Sequence, residues 1–451
     1  MLRSRIIRRC LASNVQSSHF IRKPQFDIKF IVDNLPKYEH SIKSRELVSE
    51  KELLGKLQLL PTQVAELKEL NKNINDIQRR RNSLELDIKK NKSKLMELLP
   101  EIKSLKERFQ SVTLVINDIT ERVEETTSAL PNLLNENSPL NGVPEVVHWI
   151  NKPSTEPKPD EERSHVEIMK MKNMIDLQSA SNTTGTSSYY LLNEGAQLEM
   201  ALTNYAVDIA RKHGFQFVIP PSLARLGVID ACGFRPRDMN GEKQIYAIEG
   251  QDVGLVATAE ITLAALGFNN TIEFDDSSSK KVVGLSRCYR AEAGARGKDT
   301  KGLYRVHEFS KVEMFCWSTP ESSNKLLESL KDIQIELFTN LGLYAKVINM
   351  PTNDLGNPAF NKYDIEAWMP GRGSFGEISS TSNCTDYQSR RLNTKYKSED
   401  GKLNFVHTVN GTAMAVPRVI LAIVENFYNK ETNMIEIPEP LIPYMGGKKY
   451  I

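Results

Sequence analysis

Cysteine is scarce: Cys10, Cys232, Cys288, Cys316 and Cys384 are the only five in 451 residues, and no two form a C-x-x-C pair. An odd, scattered set excludes a disulfide framework and a structural zinc site of the usual spacing, and it fits a reducing compartment. The histidines form no H-x-x-x-H pair. G-x-G-x-x-G and the P-loop are also missing, so any nucleotide must be held without the common glycine cradles. No uncharged run approaches the roughly 20 apolar residues that span a bilayer, and no membrane partner is expected. Excess charge of one sign is lacking too: 59 Lys plus Arg nearly balance 57 Asp plus Glu, a net of +2. Only local clusters can therefore point to a charged partner.

The first such cluster is at the N-terminus. Arg3, Arg5, Arg8, Arg9, Arg22 and Lys23 precede the first acidic residue, Asp27. An arginine- and serine-rich, acid-free stretch is the pattern of a mitochondrial transit peptide, here residues 1–26. A basic tail has the same composition.

From about Thr62 to Leu130 the periodicity is helical. Leu67, Leu70, Ile74, Ile77, Leu84 and Ile88 form one apolar seam, interrupted by Arg81. Ile102, Leu105, Phe109, Val112, Ile116, Ile119 and Val123 form a second. Two heptad stripes predict an antiparallel two-helix coiled coil, with the chain reversing at Pro100 after the polar run KKNKSK. Helices of about 30 residues would extend ~45 Å. Arg79, Arg80, Lys89, Lys90, Lys92 and Lys94 lie toward its tip. That is an ordinary solvated face, or a surface that meets a nucleic acid backbone.

The arm belongs to an N-terminal domain over 27–135. Residues 136–163, rich in Pro, Asn and Ser, read as a linker. From 164 to 451 short helices alternate with β-rich segments such as KVVGLSRCY, NKYDIEAWM and NFVHTVN. The fold class is α+β: a mostly antiparallel sheet flanked by helices, behind the coiled-coil arm.

Within this domain, Cys288 to Phe315 gathers both signs of charge: Arg290, Arg296, Lys298, Lys301 and Arg305 beside Glu292, Asp299, Glu308 and Glu313. Two strands joined by a long loop would put Arg290 with Glu292 on one face. On the return strand, Arg305, His307, Phe309, Lys311 and Glu313 would share another. Arginines with an aromatic ring suit a nucleoside triphosphate, because guanidinium pairs with phosphate and a ring stacks on a base.

RAE at 290–292 followed by RVHEF resembles motif 2 of the class II aminoacyl-tRNA synthetases, and within them the seryl-tRNA synthetases. TAE at 258–260 resembles that family's serine loop, the segment from Asp364 to Leu392 its ATP and metal segment, and His407 to Phe427 its motif 3. FVIPPSL, around Pro220 and Pro221, falls where motif 1 builds a homodimer interface. The resemblance implies an ATP-dependent ligase that activates L-serine and transfers it to tRNA(Ser) in the mitochondrial matrix.

The resemblance also implies roles for particular residues. Arg290, Glu377 and Arg418 would be catalytic. ATP would be held by Arg290, Ala291, Glu292, Val306, Phe309, Glu377, Ile378, Ser379, Ser380 and Arg418. Glu377 and Ser380 would hold Mg²⁺. Thr258, Ala259, Glu260, Glu313, Asn410 and Thr412 would line the serine pocket. Arg79, Arg80, Lys89, Lys90, Lys92 and Lys94 would meet tRNA. His307 and Lys311 read as structural.

One stretch, ACGFRPRDMNGEKQIYAIEG at 231–250, departs from the family's glycine-threonine-glycine pattern. The competing reading is a catalytically inactive paralogue that binds nucleic acid. Such a chain would be expected to lose Arg290, Glu313, Glu377 or Arg418, and all four are present.

Overall fold

The computed structural model describes residues 23–234, 245–275, 278–291 and 302–451. Glu292, the loop cations Arg296, Lys298 and Lys301, most of the expected leader and half of the divergent stretch lie outside them. The chain divides into two compact units, one of them Phe26–Leu133.

In that unit, helices α1 (Ile28–Asp33) and α2 (Leu35–Ser44) precede two long ones, α3 (Glu50–Lys90) and α4 (Leu95–Ala129). The two seams meet. Ile77, Leu84, Ile119 and Val123 are buried, and Leu53, Leu57 and Leu60 extend the apolar stripe. Arg81, the interruption in the first seam, lies over the ring of Phe109 at 5.9 Å, so its charge is met by an aromatic face. Two boundaries differ from the sequence reading. Helix α3 starts at Glu50, not Thr62, and passes through Pro61; it is 41 residues long, about 60 Å. The chain reverses at Asn91–Lys94, not at Pro100. Asn91 is extended, and its side-chain oxygen accepts from the Ser93 amide. That local bond offers the backbone an alternative to helix, whereas Pro100 near the start of α4 forfeits one helical bond only.

The larger unit is built on an eight-stranded sheet. Its strands are β1 (Glu145–Ile150), β2 (Gln216–Val218), β3 (Ser279–Tyr289), β4 (Glu308–Ser318), β5 (Ala345–Asn349), β6 (Asn361–Met369), β7 (Ser374–Thr385) and β8 (His407–Ala415). Their spatial order is β1-β5-β6-β7-β8-β4-β3-β2. All pairs are antiparallel except β2 with β3. The helices used below are α5 (His165–Met171), α6 (Asn193–Lys212), α7 (Ala259–Ala264), α8 (Ser323–Asn340), α9 (Tyr387–Leu392) and α10 (Val416–Phe427). Among the described residues no helix is long and apolar enough to cross a membrane.

Strand β4 shows why the sheet is covered on both faces. Its run Met314-Phe315-Cys316-Trp317 is fully buried, with no polar alternation. Met314 and Cys316 enter the core with Leu198 of α6, Leu330 of α8 and Ile420 of α10. Phe315 and Trp317 enter the opposite cluster with Ile261 and Leu263 of α7. Such a strand reads as a continuous hydrophobic run because both faces are dry. Toward its start the second face changes character: charged Glu313 and Lys311 and then the ring of Phe309 follow at every second residue. The functional hollow opens there.

Strand β4 begins at Glu308, so Arg305 and His307 precede it and do not share its face as the sequence reading had them. Strand β3 ends at Tyr289, so Arg290 lies one residue beyond it. The Arg290 amide still donates to the His307 carbonyl in register, but the His307 amide donates to the Ser187 carbonyl instead of back across the pair, which ends the ladder.

Candidate functional site

One hollow is lined by Arg290, Tyr304, Val306, Phe309, Lys311, Glu377, Ser380, Thr412 and Arg418, among others. Four stretches of the chain supply these residues.

The Arg290 guanidinium carbon lies 5.2 Å from the centre of the Phe309 ring, which leaves a cation and an aromatic surface side by side. The same hollow is lined by Arg418, in the first turn of α10 behind Pro417. That helix is apolar nearly all round, with Val419, Ile420, Ile423 and Val424 no more than 1 % exposed. Its polar residues sit at the two ends, Glu425 and Asn426 in the last turn and Arg418 in the first, and Arg418 lines the hollow. Its Nη1 pairs with the Glu377 carboxylate at 3.2 Å, and its Nε donates to the Tyr304 carbonyl at 3.1 Å.

Glu377 reaches this face through a bulge. Residues three apart on a strand point to opposite faces, so Glu377 and Ser380 should be separated by the sheet. In β7 the register slips: Ser379 pairs with Ile365 and Glu377 with Glu366, which leaves Ile378 as the extra residue. The bulge brings Glu377 and Ser380 to the same side and sends the Ile378 side chain into the core. Ile378 can therefore serve a ligand through its backbone only. Burial alone would raise the Glu377 pKa, but Arg418, Lys362 and Arg290 outweigh it and hold the carboxyl well below its ordinary value. Asp364, paired in register with Ser380, goes the other way: burial pushes it up to about 7 and Glu377 adds to that, against the pull of Lys362.

The floor carries a second set of carboxylates. Glu313 is 2 % exposed; it pairs with Lys311 at 2.5 Å and accepts from the Thr412 hydroxyl at 3.2 Å. Thr258 caps α7 by accepting from the Glu260 amide, and Ala259 and Glu260 form the first turn behind it. The Glu260 carboxylate accepts from the side-chain amides of Gln388 at 2.7 Å and Asn410 at 2.9 Å. Burial pushes Glu260 up to about 7; nearby Glu313 adds to this and Lys311 opposes it. Two near-buried carboxylates with only one ammonium between them favour a further cation, and Thr412 leaves a hydroxyl beside it.

Among the described residues, no three His, Cys, Asp or Glu side chains converge as a metal cage. The oxygen donors of Glu377 and Ser380 nevertheless fit Mg²⁺, which commonly takes one or two carboxylates and completes its shell with substrate phosphate and water.

Arg290, Val306, Phe309, Glu377, Ser379, Ser380, Thr412 and Arg418 thus converge on one hollow. Glu313 joins it through Lys311 and Thr412, and Glu260, bonded to Asn410, feels the charges of Glu313 and Lys311. Ala291 follows Arg290, half-buried. Sequence reasoning gave Lys311 a structural part and passed over Tyr304, Asp364 and Gln388. The strand period that linked Phe309 to Glu313 includes Lys311, and Asp364 alternates with Glu366 in NKYDIEAWM. Nothing local marks Gln388, whose partner lies 128 residues away.

In the arm, Lys89, Lys90, Lys92 and Lys94 are exposed. Arg80 is bound across the hairpin to Glu101 at 2.8 Å, and Arg79 lies 3.6 Å from Asp76.

Residues 246–427 match the family model for the tRNA synthetase class II core domain of the G, H, P, S and T type. The chain is 56% identical, over 99% of its length and 100% of the relative's, to the mitochondrial serine–tRNA ligase of Saccharomyces cerevisiae. It is 43% identical to that of Schizosaccharomyces pombe, over 79% of this chain and 74% of the relative. Its fold is similar to the crystal structure of seryl-tRNA synthetase from Pyrococcus horikoshii complexed with ATP, with a TM-score of 0.84 at 33% identity over 95% of this chain and 99% of that one.

Proposed function

This chain belongs to the seryl-tRNA synthetases, and on that premise we propose how its own residues carry out the reaction. The activity is that of a serine–tRNA ligase: ATP and L-serine form seryl-adenylate, and the seryl group passes to the 3′ end of a serine tRNA in the mitochondrion. The observation that carries the residue assignment is the shared hollow. Arg290, Glu377 and Arg418 line it, and the Glu313–Thr412 pair lies at its floor.

In our reading, adenine stacks on Phe309 between the Val306 backbone and Arg418; the adenine contact implied for Glu292 falls outside the described residues. Arg290 meets the α-phosphate. Glu377 and Ser380 would hold Mg²⁺, which neutralises phosphate charge when bound. Serine lies on Thr258, Ala259, Glu260, Asn410, Glu313 and Thr412; one carboxylate takes its ammonium and the other accepts its hydroxyl proton. Alanine would leave the hydroxyl's acceptor buried and unpaired, so it is rejected strongly. The serine carboxylate is already ionised. It attacks the α-phosphorus in line, the bond to the bridging oxygen breaks, and pyrophosphate leaves with the electron pair. No general base is needed; positioning and charge neutralisation do the work. A ribose hydroxyl of the terminal tRNA nucleotide then attacks the acyl carbon, and AMP leaves.

We assign tRNA contact to the basic tip of the α3–α4 hairpin within residues 27–135 and catalysis to 164–451; the stretch 136–163, expected as a linker, adds strand β1 to the catalytic sheet. Homodimer contact falls to the motif 1 region. Its supports are the exposure of Met200, Phe217, Ile219 and Leu223 and the place of β2 at the edge of the sheet. The arginine-rich residues 1–26 would direct the chain to the mitochondrial matrix. ATP–pyrophosphate exchange with each amino acid in turn tests the catalytic reading. Serine-dependent exchange supports it, and exchange with none would make the chain an inactive paralogue.

A further inference from the structure

We propose that His165 is a positioning residue for ATP binding, acting through the Leu303–Tyr304 turn on Arg418 and Glu377. The inference rests on the ATP site assigned above. His165 and Glu425 do not line the hollow; they lie behind it. Glu425, at 1 % exposure on α10, accepts from the His165 Nδ1 at 2.8 Å and from the Gly371 amide at 2.8 Å. With Nδ1–H donating to that carboxylate, Nε2 keeps its lone pair. It accepts from the Leu303 amide at 3.2 Å. The two ring nitrogens thus join the helix that carries Arg418 to the turn that carries Tyr304.

The approach is tight on both sides. Gly302 has φ +73°, and a Cβ there would lie 2.1 Å from His165 Nε2. Any side chain would displace the ring. At the far end a Cβ on Gly376 would lie 2.8 Å from the Tyr304 ring, so the bare strand gives that ring its seat.

Tyr304 passes the position on. Its carbonyl accepts from Arg418 Nε at 3.1 Å, and its phenolic oxygen accepts from the Glu377 amide at 3.1 Å. Its ring lies 4.7 Å from the Arg418 guanidinium carbon and 4.0 Å from that of Arg372. One residue therefore holds both the Arg418 guanidinium and the backbone of Glu377, whose carboxylate is assigned to ATP. The bonds of Glu313 and Glu260 run instead to Lys311, Thr412, Gln388 and Asn410. The effect of His165 should fall on ATP rather than on serine.

The experiment is serine-dependent ATP–pyrophosphate exchange with the full chain, with KM measured separately for ATP and for serine. Exchange by the wild type tests the assigned site itself, and its absence would sink that assignment rather than the role of His165. His165→Leu should raise KM for ATP about tenfold, the equivalent of one buried hydrogen bond, with KM for serine within about twofold of wild type. His165→Gln places an amide oxygen where Nε2 was, and should recover most of the loss. Equal rises in both constants, or a Gln variant no better than Leu, would mean that His165 is merely structural and would overturn the proposal. Tyr304→Phe keeps the ring and loses the acceptor for the Glu377 amide. It should raise KM for ATP about fivefold, and an unchanged value would overturn the relay even if the Leu variant did not fold.

Discussion

Arg418 holds Glu377 twice: Nη1 pairs with its carboxylate at 3.2 Å and donates to its backbone carbonyl at 3.1 Å. The first contact can open for a phosphate or a metal, while the second keeps the guanidinium in place. Nε meanwhile donates to the Tyr304 carbonyl, so two nitrogens fixed in one plane are in use, and lysine offers a single point of charge. Arg418→Lys should therefore lower kcat/KM for ATP in the exchange reaction by about a hundredfold, with the thermal midpoint little changed. Exchange within a few-fold of wild type would remove Arg418 from the ATP site.

The carboxylate at 313 touches the floor of the site and little else. Glu313→Ala leaves Lys311 a buried ammonium whose 2.5 Å partner is gone. Exchange should disappear. Thr412→Val keeps the shape and loses the hydroxyl that donates to Glu313. It should raise KM for serine about tenfold and leave KM for ATP nearly unchanged. A rise confined to ATP would refute the division of the hollow into two ends.

Glu260 supplies a pH dependence. Its pKa, ordinarily 4.5, is pushed up to about 7 by burial. Between those values the folded state binds more protons than the unfolded state, so stability falls as pH rises through the window. The full shift corresponds to about 3 kcal/mol. Denaturant titration of Glu260→Gln without ligands should give a flatter profile, and a more stable protein at pH 8 than the wild type. Serine's ammonium favours the ionised carboxylate, so KM for serine in the wild type should climb below about pH 7. A variant as pH-sensitive as the wild type across that window would show that Glu260 is not the group responsible.

The arm should act on tRNA and not on activation. Reversing Lys90 and Lys92 to Glu alters side chains that are exposed beside the reversal at 91–94. Exchange should be unaffected. Aminoacylation should show a higher KM for tRNA, and a shallower dependence on salt, because fewer phosphate contacts remain. Impaired exchange in this variant would contradict the separation of the two tasks.

The sequence by itself determined what depends on order along the chain. Two heptad seams required two helices that pack on each other, and Leu67 to Ile88 found Ile102 to Val123 because those are the apolar stripes that repeat along both helices. Met314 to Trp317, four apolar residues in a row, required a strand covered on both sides. Ordered motifs identified the family, and with it most of the residues around the hollow. Tertiary structure decided what depends on register and on distant partners. Pro100 sits inside a helix because Asn91 had already turned the chain with its own side chain. Glu377 and Ser380 share a face only because one residue bulges out of β7 opposite β6, a slip set by pairing between strands and invisible in either alone. Gln388 meets Glu260 across 128 residues. Short-range periodicity carries information about which side of an element is dry; the alignment of one element against another is fixed only when the whole sheet closes.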